Sequence, residues 1–229
     1  ASVDPRPGGS RSTDVATSRP TLGGRGLQYG RPMQAVGGHL APMAPAYDDG
    51  CVTGLVPALM QGDLVPGGWP SWLPDEVLGA RRTLLLVLDG LGWEQLRSRP
   101  GAAPNLTGFA GGAITTVAPS TTAAALTSIA TGEPPGRHGL VGYRIAVGAP
   151  GRPAHAEVLN ALRWSTGDGD ARPRHDPREF QPCEVFGSQW PPVVTREAFS
   201  DSGFTAAHLS DTRLMGYRDR AGLVARVVE

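Results

Sequence analysis

The clearest element along the chain is RRTLLLVLDGLGWEQL, in which Thr83 to Leu88 is a run of strand length without polar alternation. Such a run predicts a strand covered on both faces, the mark of an α/β sheet. Asp89 stands at its carboxyl end, Gly90 and Gly92 supply a turn, and WEQLRSR predicts a helix with Trp93 and Leu96 three residues apart. Further on, AITTVA is a second strand candidate. It leads to Pro119 and the cluster Ser120-Thr121-Thr122, behind which TAAALTSIATG predicts a helix ended by Gly132. Two strands that each end at polar residues and are each followed by a helix place Asp89 and Ser120-Thr121-Thr122 on one rim. In open α/β sheets that rim is where ligands bind.

The flanks have a different pattern. Residues 1–45 mix Gly, Pro, Ser, Arg and Thr with few large apolar residues, a composition that predicts a disordered arm because it cannot offset the chain entropy of ordering. Residues 46–229 form the expected domain. Its first part, with CVTGLVPALMQG and WPSWLPDEVLG, predicts short helical pieces broken by Pro57, Pro66, Pro70 and Pro74. Its last stretch, RAGLVARVVE, carries Leu223, Val224, Val227 and Val228 as the apolar stripe of a helix.

Composition narrows the chemistry. The 229 residues suit one domain, and the balance of 21 basic against 21 acidic residues gives no net charge to recruit nucleic acid or an anionic membrane. No lysine occurs, so P-loop, Schiff-base and lysine-dependent kinase chemistry are excluded. Cys51 and Cys183 form no C-x-x-C pair, and no window approaches 18 apolar residues, so the expected setting is a reducing one, cytoplasmic and away from the membrane.

Each candidate residue has a plain alternative. Asp89 is either a helix cap or a metal-binding or catalytic carboxylate, and the Ser120-Thr121-Thr122 cluster is either N-cap chemistry or a nucleophile. Gly90-Leu91-Gly92 lacks the third glycine of a dinucleotide fingerprint, Gln95 standing in its place. Leu91 occupies the position where a haloacid-dehalogenase-type phosphatase needs a second Asp. His155-Ala156-Glu157 with Pro182-Cys183 is short of a zinc deaminase signature, because Phe186 replaces the second Cys. Ser120 is outside any G-x-S-x-G elbow. His138, between Arg137 and Gly139, reads as a turn residue, and His39, His155, His175 and His208 form no metal-ligand spacing.

Taken in order, LLLVLDGLGW, PNLTGFA and APSTTAAALTSIATGEPPGRHGLVGY resemble the first part of the alkaline-phosphatase superfamily, in its type I phosphodiesterase/nucleotide pyrophosphatase branch. The match covers roughly Ala80 to Tyr143, with weaker echoes in NALRWS and FTAAHL. The resemblance implies a mixed, mostly parallel sheet with helices on both faces. It also implies hydrolysis of phosphodiester or pyrophosphate bonds in a small phosphoester substrate through a phosphothreonine, with two divalent metal ions, zinc by resemblance. Carried over, Asp89 takes a metal-ligand position and Thr122 the position of nucleophile and metal ligand, with Thr121 the competing choice.

The departures are equally specific. Ala125 stands where the family has the Asn that holds a phosphoryl oxygen. The downstream D-x-x-x-H and D-H ligand motifs do not occur, and His175-Asp176 has the reversed order. A fragment with part of one metal site is therefore expected. The rival expectation is a non-catalytic binding or regulatory module with the same fold.

Overall fold

The computed structural model describes residues 35–36, 39–40, 43–65, 67–148 and 157–229. Most of the arm expected over residues 1–45, together with His155 and Ala156, lies outside the described residues. Within the arm, β1 (Ala35–Val36) and β2 (His39–Leu40) pair antiparallel.

The lead-in holds short helices, α1 (Leu55–Gln61) and α2 (Asp75–Leu78), but Pro57, expected to break one, is inside α1, in its first turn where no intrahelical N–H is needed. Next come α3 (Trp93–Ser98), α4 (Pro104–Thr107), α5 (Thr122–Thr131) and α6 (Pro135–His138). Helix α5 ends as expected at Gly132, whose φ of 74° is open to glycine at little cost.

The sheet departs from expectation. Thr83–Leu88 forms no strand, and Leu84 and Leu86 are exposed by 65% and 60%. AITTVA contributes only one parallel bridge, Thr115 to Cys51. A strand needs a neighbouring backbone to accept its N–H groups, and hydrophobicity alone supplies none. The largest sheet is instead antiparallel, in the order β3 (Arg144–Val147), β4 (Glu157–Asn160), β5 (Ser165–Thr166) and β6 (Gly169–Asp170). In β3 the alternation of exposed and buried residues, Arg144 out, Ile145 in, Ala146 out, Val147 in, gives the one-sided burial of an antiparallel sheet. After α7 (Pro177–Phe180), the only parallel pairing between strands among the described residues joins β7 (Pro192–Arg196) to β8 (Arg213–Tyr217). Helix α8 (Gly203–His208) lies between them in the chain, and α9 (Arg220–Val228) follows β8 with Val224 and Val228 exposed. The fold therefore mixes helices and strands, and the mostly parallel sheet is corrected to a mainly antiparallel one.

The main core joins these parts. Ile145, Val147 and Leu159 from the sheet meet Leu140, Trp164, Phe204, Ala207 and the α5 residue Ala123. Trp164 is 1% exposed, donates its Nε1–H to the carbonyl of His175 at 2.7 Å, and meets Phe180 edge-on at 5.6 Å. Its φ of 52° is left-handed, a conformation that costs a side-chain-bearing residue roughly 1–2 kcal/mol and is offset by burial of the indole. Gln181, buried, bonds the carbonyls of Cys183 and Ala207 and accepts from the Cys183 N–H, which ties α8 to the chain before β7.

Gly203 opens α8 directly against Trp164, and a Cβ there overlaps the Trp164 Cβ and Cγ, which cannot swing away. Gly203→Ala is expected to destabilise the fold by about 1–3 kcal/mol through overpacking. Urea unfolding followed by Trp fluorescence checks this, and an unchanged midpoint contradicts the packing described.

Candidate active site

Asp89 and Thr122, 33 residues apart in sequence, meet in the structure: the Thr122 hydroxyl donates to Asp89 Oδ2 at 2.8 Å. Two local features bring them together. After Leu88 the chain reverses in a turn closed by the Leu91 N–H on the Leu88 carbonyl, with Gly90 at φ 82°. On the other side, extended Thr121 (φ −89°, ψ 154°) leads into α5, so that Thr122 is its first residue.

The capping alternatives are absent from this geometry. The N-cap of α3 is Gly92, and Asp89 caps nothing. Thr121 occupies the N-cap of α5 without a side-chain capping bond, and Ser120 is exposed. The Thr121 Oγ1 is buried without a hydrogen-bond partner. The first-turn N–H groups of α5 thus have no side-chain cap, and no acidic residue sits in that turn. A helix end of this kind favours an anion by its oriented N–H groups and partial positive charge.

Asp89 and Thr122 supply oxygen donors of the type that divalent ions take. Among the described residues no group of three or more His, Cys, Asp or Glu side chains converges. A zinc site normally takes three or four protein ligands, so this pair by itself does not make one. Ala125, at the position of the expected phosphoryl-binding Asn, packs against the buried cluster of Cys51, Val117 and Ala124.

The profile of the type I phosphodiesterase / nucleotide pyrophosphatase family matches residues 83–209, a segment that contains Asp89, Thr122 and most of the core. The chain belongs to this family. No curated protein and no solved structure matches it. Family membership supports a phosphoester hydrolase acting on small phosphoester substrates, in a family that is generally metal-dependent. Among the described residues no helix is long and apolar enough to cross a membrane.

The sequence pattern did not reveal a buried polar pair on the helix that begins at Thr122. His138, read as a turn residue, is fully buried, and its Nε2 lies 2.9 Å from the Oγ of Ser128, also fully buried. Burial pushes the His138 imidazole down from 6.5 to about 4, while the carbonyls of His138 and Ala124 offset part of the effect. Burial likewise pushes His208 down to about 4, its Nδ1–H donating to the Phe204 carbonyl at 2.7 Å and its ring stacked on Phe204 at 4.0 Å.

Both imidazoles are neutral in the folded chain and titrate near 6.5 once unfolded. The stability they support is complete above pH 6.5 and is lost as pH falls toward 4, because the unfolded chain then binds protons that the folded one does not. The expected loss is on the order of a few kcal/mol between pH 7 and 4. Denaturant unfolding at stepped pH checks it, and a midpoint that stays level from pH 7 to 4.5 in wild type contradicts the neutral burial of both rings.

Proposed function

We propose that Thr122 is the nucleophile of a phosphodiester or pyrophosphate hydrolase and that the reaction passes through a phosphothreonine. The observation that carries this reading is the 2.8 Å hydrogen bond from Thr122 Oγ1 to Asp89 Oδ2, at the uncapped start of α5. A threonine hydroxyl is a weak nucleophile until its proton is held elsewhere. Asp89 accepts that proton in a hydrogen bond and so orients the oxygen for in-line attack. The Oγ–P bond forms as the bond from phosphorus to the leaving oxygen breaks, and water then cleaves the phosphothreonine and restores the hydroxyl. The first-turn N–H groups of α5 face the phosphoryl oxygens, a role left open by Ala125.

Asp89 and Thr122 would also hold a divalent ion, zinc by resemblance, which supplies positive charge to the phosphoryl oxygens and lowers the pKa of a bound hydroxyl. The family match and the oxygen donor pair support this assignment.

Thr122→Ala is expected to lower hydrolysis of a nitrophenyl phosphodiester by on the order of 10³-fold or more, since it removes the covalent route. Thr121→Ala retains most of the activity. The expected change in stability is small for both, because neither hydroxyl caps α5. Steady-state kinetics with and without added zinc checks the pair. An active Thr122→Ala beside an inactive Thr121→Ala moves the nucleophile to Thr121, and wild type without activity at any metal concentration favours the binding-module reading.

A further inference from the structure

Helix α5 carries the proposed nucleophile at its first residue, and the polar pair His138–Ser128 is buried against the same helix. The tautomer of His138 follows from its partners. The Leu140 N–H donates to Nδ1 at 3.2 Å, so Nδ1 is the bare nitrogen and Nε2 bears the proton given to Ser128 Oγ at 2.9 Å. One ring thus joins the backbone after α6 to the middle of α5.

The segment bonded to this ring also packs against the first turn of α5. Leu140, whose N–H fixes the tautomer, is fully buried in the cluster that contains Ala123, the residue next to Thr122. The 138–140 segment therefore holds α5 at Ser128 through the ring and beside Ala123 through Leu140.

We infer that His138 is a positioning residue: through Ser128, Leu140 and the first turn of α5 it holds the Thr122 hydroxyl against Asp89. This rests on the proposed nucleophile for its consequence in activity and on geometry alone for its consequence in order. A buried neutral imidazole suits the task, because it presents a donor and an acceptor on opposite edges of a rigid ring. Glutamine offers both groups from a single amide end, and leucine offers neither.

Hydrogen exchange and kinetics on the whole chain test it together. His138→Leu is expected to speed exchange of the amides of Thr122 to Leu126 by about tenfold or more. It should lower kcat on a nitrophenyl phosphodiester by on the order of 10²-fold with KM little changed, as expected when an attacking atom moves by about 1 Å. His138→Gln restores part of both. Ser128→Ala, a smaller change that leaves the ring in place, moves exchange and kcat in the same direction to a lesser extent, and it decides the matter if His138→Leu does not fold. Faster exchange confined to residues 129–140, with the first turn of α5 and kcat unchanged, overturns the positioning role. If wild type turns over no ester, the proposed reaction falls, and the exchange pattern at Thr122 to Leu126 alone decides whether His138 orders that turn.

Discussion

The close seating of α5 is the constraint on which the rest of the structure depends. Its buried face is made of Ala123, Ala124, Thr127, Ser128 and Ala130, side chains short enough for the helix backbone to approach three separate groups of core residues. Ala123 faces the antiparallel sheet and Trp164, Ala124 faces Cys51 and Val117, and Ala130 faces Val56 and the Val185–Phe186 segment. Close-packed interiors leave little freedom for a helix held on three sides, so its N-terminus has one position. Gly132 at its far end lies so close to Pro57 that a Cβ would overlap the proline ring.

That seating gives the candidate site its character. Asp89 comes from a turn whose preceding apolar segment is exposed, and Thr122 from a helix packed against three groups of core residues. The rigid partner therefore sets the geometry, and the carboxylate meets it. The uncapped first turn fits the same picture. A side-chain cap would have filled the N–H groups with a permanent acceptor, and their being free of one leaves them open to an anion.

Electrostatics contributes mainly at single groups. The ion pairs Arg172–Asp170, Arg174–Glu157, Arg178–Asp211 and Arg218–Glu197 are all exposed, so each adds little to stability. The two buried histidines act in the opposite way. They are polar groups satisfied inside the core, and they keep their place only while neutral.

Local chemistry made part of this legible in the sequence. Glycine after TAAALTSIAT marked the end of α5, and the apolar content of the lead-in marked its short helices. These depend on residues within a few positions of one another, where propensity and capping operate. The tertiary structure alone decided what required distant partners. It left Thr83–Leu88 without a ladder, because a strand is defined by its neighbour as much as by its own residues. It turned residues 144–170 into an antiparallel sheet, and it brought His138 to Ser128. The sequence pattern set Asp89 and Ser120-Thr121-Thr122 on one rim, but that the Thr122 hydroxyl is the one to meet the carboxylate was decided by packing, which sets contacts between side chains 33 residues apart.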